Sequence, residues 1–326
     1  MRVKLPISIL LLSLLGFATC STPQAQETAP PTNPPAPIGL LPNIKMPTFG
    51  GIQFWADRRW QEGWRIQQHV FSREHRLLDP KQIRVAWGSL EACEESMRQC
   101  APAPPIQDQT LVILLHGIAD SRLSFWRLED KLKQDGWQVA ALSYPSTHQS
   151  LQQHADHLAE VMEHLRGYRK VHFVTHSLGG IVVRRLLADG GAWQKTTDVE
   201  RIVMIGPPNQ GAVFAEKVES FPPYTWIFGD AGKSLTPKAM KSLPAPQVPF
   251  LVIAGSRGHK DGWNPVLQGD DDFVVRVEET HLQGETGHLQ VKGLHGLMMN
   301  NNGVIAATLM FLRNGKVMQQ STLSDM

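Results

Sequence analysis

A serine hydroxyl is a weak nucleophile until a base takes its proton, so a chain that uses one must bring an imidazole, and a group to orient it, to the same place. Ser177, in VTHSLGG, is the residue best set up for such chemistry. It stands where an apolar run ends and a helical pattern begins, and Gly179 and Gly180 leave room for the sharp turn that would expose its hydroxyl. The amide of Leu178, at the first turn of that helix, is then a donor for a developing oxyanion. The pattern G-x-S-x-G is met in part, because Thr175 occupies the first glycine position. A plainer reading makes Ser177 only the cap of the helix that starts at Leu178.

A second donor is available from His116–Gly117–Ile118, where Gly117 permits close backbone approach and Ile118 supplies the amide. Candidate acids follow in QGDDDFVV, at Asp270, Asp271 and Asp272. Among the histidines, His295 sits in a glycine-flanked loop from which a side chain can reach back over a sheet. His288 precedes the same strand and belongs at the opposite end; His281 lacks the loop context. His154, His157 and His164 share one helix face without a carboxylate or cysteine to complete a metal site, and read as solvated. His116 and His176 adjoin the candidate site and read as positional.

These residues need a frame. Strands are expected at 110–117, 138–144, 171–177, 201–208, 250–256 and 288–294, with helices near 124–135, 148–167, 178–189 and 303–313 between or after them. Short apolar strands alternating with helices predict an α/β fold, a mostly parallel sheet with helices on both faces. Functional residues on such sheets gather at the carboxyl ends of the strands, and Ser, then Asp, then His is the chain order this class of sheet requires.

At this point VILLHGI, VTHSLGGIVVR, GPPNQG and LHGLMMNN together resemble the α/β-hydrolase superfamily, in particular bacterial lipases and esterases near the GPI-inositol deacylase-like group. The resemblance covers about residues 106–314. It implies Ser177 as nucleophile, His295 as general base, and Ile118 and Leu178 as oxyanion-hole amides. In the family the acid lies just before a hydrophobic pair, which selects Asp272, with Asp271 as runner-up. No cofactor is implied, and a calcium site is disfavoured because three contiguous acids chelate poorly.

Between Gly211 and Pro249 the alternation lapses, in a stretch holding Phe214, Phe221, Tyr224, Trp226, Ile227 and Phe228. Placed after the strand ending near Pro208, segment 211–249 is expected to act as a lid or cap lining an acyl pocket, against a plainer reading as a packing subdomain. Asn209, Gln210 and Gly211 make a turn.

The two ends of the chain speak to location. Residues 1–20 combine Arg2 and Lys4 with a short apolar run, a secretory signal; FATC puts Cys20 where a bacterial lipoprotein would carry its lipid, and cleavage by the ordinary signal peptidase after a small residue is the competing reading. Residues 21–50 hold eight of the 23 prolines and read as a linker that lifts a domain off a membrane. An extension over 51–105 follows, in which Trp55, Trp60, Trp64 and Phe71 are expected to pack against the core rather than form a membrane-seeking helix, since Asp57, Arg58, Arg59 and Glu62 dilute any moment, and RVAWG (84–88) to add an edge strand. In an exported protein Cys93 and Cys100 are expected to form a structural disulfide, against two reduced thiols or a metal pair that no nearby histidine or third cysteine completes. Residues 315–326 are a tail. Charge is balanced, 32 Lys+Arg against 30 Asp+Glu, which excludes a nucleic-acid binder of the usual basic kind.

The expectation is an exported or lipid-anchored serine hydrolase of the bacterial cell envelope that cleaves carboxylic, lipid-like esters. Thioesterase, phospholipase and amidase chemistry use the same machinery. The different class to set against it is a catalytically silent scaffold serving envelope binding or assembly.

Overall fold

The computed structural model describes residues 53–105, 109–213 and 235–324. The leader, Cys20, the proline-rich linker and all six aromatic and apolar residues named for the lid lie outside them.

The described chain begins with an antiparallel meander of β1 (Trp55–Gln61), β2 (Trp64–His69), β3 (His75–Leu78) and β4 (Arg84–Gly88), paired in that order. Helix α1 (Leu90–Cys100), capped by the Ser89 hydroxyl, closes a small core of Ile66, Leu77, Ala86, Cys93 and Met97. RVAWG therefore does not extend the main sheet. It is the last strand of a separate one, because three successive hairpins pair locally before the chain reaches the parallel strands.

The expected disulfide is also corrected: Cys93 and Cys100 are free thiols. Both lie on α1, where seven residues span about 10 Å of helix axis, beyond the Cα separation a disulfide tolerates. Cys93 is buried and its thiol is pushed up to about 12.

The parallel strands follow in regular alternation. They are β5 (Thr110–Leu115), a 3-10 turn (Arg122–Phe125) running into α2 (Trp126–Gln134), β6 (Gln138–Leu142), α3 (Leu151–Glu163), β7 (Lys170–His176) and α4 (Leu178–Asp189). Then come β8 (Asp198–Ile205), α5 (Pro237–Ser242), β9 (Phe250–Ser256), α6 (Val277–Thr280), β10 (Gly287–Lys292), α7 (Asn302–Asn314) and α8 (Gln320–Ser324). Six strands form one sheet in the order β10-β9-β8-β7-β5-β6, every pairing parallel.

Period-two alternation splits its side chains between two cores. Leu111, Ile113 and Leu115 of β5 meet Leu158 and Val161 of α3 and Ile181 and Val182 of α4. Val112 and Leu114 meet Leu128 and Leu132 of α2 and Val304 and Phe311 of α7 on the other face. A strand covered on both faces has no polar side to show, which is why it reads as an unbroken apolar run. Burying each such side chain is worth about 1.5–3 kcal/mol.

The meander is fastened to the sheet at the exit of β6. The Asp57 amide donates to the Ser143 carbonyl (2.9 Å), and the Asp57 carboxylate accepts from the Ser143 amide (2.7 Å) and from Arg65 (2.8 Å). Trp60 joins the α3–α4 core, with its ring 5.9 Å from that of Tyr168. Among the described residues no helix is long and apolar enough to cross a membrane.

Candidate active site

Ser177 occupies the single residue between β7 and α4, at φ 51° and ψ −120°. A side chain in that region carries strain of about 1–3 kcal/mol and persists only when its surroundings hold it there. They do so through two hydrogen bonds, Ser177 N–H to the Ile205 carbonyl (2.9 Å) and Gly180 N–H to the Ser177 carbonyl (3.0 Å). The hydroxyl makes no capping bond, so the plainer reading of Ser177 as a helix cap fails. Gly179 lets α4 start so close to β5: a Cβ there would lie 2.4 Å from the Leu115 carbonyl oxygen and 2.9 Å from that of His116. Thr175 is accommodated too. Its buried hydroxyl donates to the Val203 carbonyl (3.2 Å) and points at the space that Gly180 leaves free of a side chain.

The loop after β5 lies against this turn. A Cβ on Gly117 would meet His176 Nδ1 at 2.8 Å and Ser177 Cβ at 3.1 Å, so only glycine fits between them. The buried His116 ring donates through Nδ1 to the Gly117 carbonyl (2.8 Å). In a trans peptide the carbonyl and the following N–H point opposite ways, so this bond also sets the direction of the Ile118 amide. His116 is held in turn by Tyr144, whose ring stacks on it at 4.3 Å and whose hydroxyl donates to the His116 carbonyl (2.5 Å). Burial pushes the His116 pKa down, keeping the ring neutral. Neither the Ile118 nor the Leu178 N–H donates to any described residue.

On the far side of the elbow, Asp272 and His295 meet. His295 Nδ1 is 2.7 Å from Asp272 Oδ2, and the His295 amide donates to the Asp272 carbonyl (2.8 Å). The other carboxylate oxygen accepts the amides of Val274 (3.0 Å) and Val275 (2.8 Å), leaving Asp272 fully buried and no rotamer free. His295 opens the last 3-10 turn (His295–Asn300). A Cβ on Gly206 would lie 3.2 Å from its ring and 3.3 Å from the Asp272 carboxylate. Asp271, the runner-up, spends its Oδ1 on the amides of Trp263, Asn264 and Phe273. Asp270 accepts those of Arg257 and Gly258. The three acids build one loop, and only Asp272 touches the imidazole.

His176 ties the two halves together. Its Nε2 donates to the His295 carbonyl (3.1 Å), the two rings lie 4.6 Å apart, and it is the chain neighbour of Ser177. Burial, then the His295 ring, pushes its pKa well down, so it acts as a neutral donor. The Ser177 hydroxyl itself makes no hydrogen bond to His295 here. Such bonds are often long without substrate and tighten in the complex. His281 and His288 stack on each other at 3.7 Å away from this cluster, where His288 bonds Thr280 (2.8 Å) and is lowered to about 4 by burial. Among the described residues no group of three or more His, Cys, Asp or Glu is disposed to hold a metal ion.

One buried residue near the site escaped the sequence reading. Arg184, on the inward face of α4, donates to the carbonyl (3.0 Å) and side chain (3.2 Å) of Asn209 and to the Leu243 carbonyl. It pins the turn after β8 to the segment behind α5. Its signal was an arginine three residues after Ile181, on the face that otherwise carries only apolar side chains.

A protein-family model described as a domain of unknown function, DUF7379, matches residues 79–220, less than half of the chain. That span includes Ser177 and ends before Asp272 and His295. Comparison with curated proteins finds no match. Among solved structures, the mature form of the Bacillus licheniformis lipase BlEst2 superposes with a TM-score of 0.53 at 20% identity, covering 66% of this chain and 96% of that one. Its propeptide form gives 0.52 at 19%, covering 67% of this chain and 53% of that one.

This is the α/β-hydrolase fold. At that level of identity the likeness establishes architecture, and these matches single out no GPI-inositol deacylase-like group within it. In an α/β-hydrolase the carboxyl ends of the central strands form the floor of the site. Here β7, β5, β9 and β10 deliver Ser177, Gly117–Ile118, Asp272 and His295 to that one rim.

Proposed function

We propose that the protein is a serine hydrolase of carboxylic esters, working through an acyl-enzyme. Ser177 Oγ attacks the ester carbonyl as His295 Nε2 takes its proton; Asp272, bound at Nδ1, holds the ring in the required tautomer and stabilises the imidazolium. The Ile118 and Leu178 amides receive the oxyanion. His295 then protonates the departing alcohol, and water releases the acyl group by the same steps in reverse. The observation that carries this reading is the 2.7 Å Asp272–His295 bond placed beside a strained serine with two uncommitted amides next to it. A buried, hydrogen-bonded carboxylate on one imidazole nitrogen leaves the other nitrogen as an acceptor directed outward, which a merely structural histidine does not need.

Lipid-like esters are the proposed substrates. The support is the apolar composition of the 211–249 insertion together with the fold shared with a bacterial lipase. The signal-like leader supports export to a bacterial cell envelope or secretion, and Cys20 supports a lipid anchor there. The test is a panel of esters of graded chain length on purified protein. Wild type is expected to cleave several members and Ser177→Ala none above background. Equal rates for the two proteins would leave the silent-scaffold reading in its place.

A further inference from the structure

The loop that carries the Ile118 amide, residues 116–121, leaves β5 for the Arg122–Phe125 turn and is held at both of its ends. At the near end the His116 ring holds the Gly117 carbonyl, and Tyr144 holds the ring. At the far end the Asp120–Ser121 peptide is bonded at both poles. Its carbonyl accepts from Gln53 Nε2 (2.6 Å), and its N–H donates to the Asp120 carboxylate (2.7 Å). Between these two fixed peptides Ala119 sits at φ 55°, in the left-handed region, a conformation that lasts only while its surroundings impose it. Ile118 is the residue next to it.

Gln53 comes from outside the parallel sheet. It lies two residues before β1, which Asp57 fastens to Ser143, and its amide reaches the loops after both β5 and β6. Oε1 accepts the Thr147 amide (3.1 Å) and hydroxyl (2.9 Å), while Nε2 also lies 3.0 Å from the hydroxyl of the buried Ser146. The orientation of this amide is forced, because the Asp120 carbonyl can only accept and the Thr147 N–H can only donate. A carboxylate of the same length could serve Thr147 but has nothing to donate to Asp120. The segment that carries Ser146 and Thr147 also carries Tyr144, so one stretch of chain backs both anchors of the 116–121 loop.

We propose that Gln53 is a positioning residue for the oxyanion hole: the donor half of its amide holds the far end of the 116–121 loop, so that the Ile118 N–H stays aimed at the place where the oxyanion forms. This rests on the hydrolase reading, and it makes the segment that leads into the meander part of the machinery rather than a packing extension alone. An ester in its ground state gains little from such a donor, whereas the tetrahedral oxygen needs it in place beforehand. Misplacing the amide therefore slows turnover without weakening substrate binding.

The test compares the wild-type chain with Gln53→Glu and Gln53→Met on a p-nitrophenyl ester, at about pH 8, where a carboxyl is ionised. Rates are taken per active site, counted with a fluorophosphonate. Gln53→Glu keeps acceptors for Thr147, and with them the tie to the loop after β6; it loses the donor to Asp120. Both variants are expected to lower kcat about ten- to a hundredfold, less than outright loss of an oxyanion donor, at a KM within about twofold of wild type. A trifluoromethyl ketone, whose adduct with Ser177 places its oxygen in the oxyanion hole, should lose affinity by the same factor. Gln53→Glu with the kcat of wild type overturns the proposal, since the tie to Thr147 would then be all that Gln53 provides. So does a loss of kcat that leaves the ketone's affinity unchanged, or a rise in KM that accounts for the whole effect. Either variant decides alone should the other not fold. Those outcomes leave the hydrolase reading standing, whereas wild type that cleaves no ester and takes no fluorophosphonate overturns that reading and the role of Gln53 with it.

Discussion

Asp271 and Asp272 are neighbours with identical side chains, and the backbone between them decides their tasks. Phe273 follows at φ 88°, a turn that leaves one carboxylate folded back on the loop amides and sends the other to His295. Nothing in DDDFVV marks that turn, so a sequence can offer the three acids but not the split. Asp272→Asn is expected to lower kcat by roughly 10³–10⁴, as loss of the orienting acid does in such triads. Asp271→Asn should instead weaken the three loop hydrogen bonds, costing about 1–3 kcal/mol of stability with a much smaller effect on kcat. Steady-state rates and denaturant titrations on the pair check both; a larger loss of kcat from Asp271→Asn would assign the acid to the other residue. His116 makes a second residue-scale case. An asparagine amide can reach where Nδ1 donates, so His116→Asn should retain most activity, while His116→Leu frees the Gly117 carbonyl and lowers kcat by roughly 10²–10³ at similar KM. Equal losses in the two variants would mean that the ring does not act through that bond.

At the scale of elements, α4 and β9 were legible to the residue because each is bounded sharply, α4 by Ser177 and Gly190 and β9 by Pro249 and the polar loop after Ser256. The meander was not legible. WADRRWQ and WRIQQH carry charged and amide side chains at buried positions, satisfied by one another: Asp57 with Arg65 and Gln67, and Gln67 with Arg76. Hydropathy therefore hides strands whose burial is real. The disulfide failed for a related reason, since EACEESMRQC forms a helix rather than a loop that could bring its ends together.

Helix α3 carries a pH dependence. The face expected to be solvated is not: His154 is buried with its ring 4.8 Å from that of Tyr144, and burial lowers His154 to about 3 and His157 to about 4, against 6.5 when exposed. Unfolded chains take up these protons as pH falls through 6.5, whereas the folded form stays neutral until near pH 3–4. Stability is thus constant above that window and falls through it on acidification. Thermal midpoints should drop steadily from pH 7 to pH 4, and less steeply in His154→Phe; parallel profiles for the two proteins would show that His154 stays solvated.

For the whole molecule, the join between meander and sheet turns on one buried carboxylate. Asp57 is almost fully buried with Arg65, and removing it strands a guanidinium and the Ser143 amide. Breaking a buried pair by deleting one partner costs about 3–5 kcal/mol. Asp57→Ala is expected to melt at lower temperature and to become sensitive to proteolysis near residues 101–109, between α1 and β5. Protection equal to wild type in that segment would mean that Trp60 and the Arg58 and Arg59 pairs with Glu160 of α3 hold the meander in place without it.

In the proposed mechanism Ser177 is made nucleophilic by His295. A fluorophosphonate adduct located by mass spectrometry tests it directly, because the reagent bonds only an activated serine. A single adduct is expected on the peptide containing Ser177, formed at least a hundredfold more slowly in His295→Ala. No adduct on the folded wild type, or one that forms equally fast without the imidazole, would contradict it.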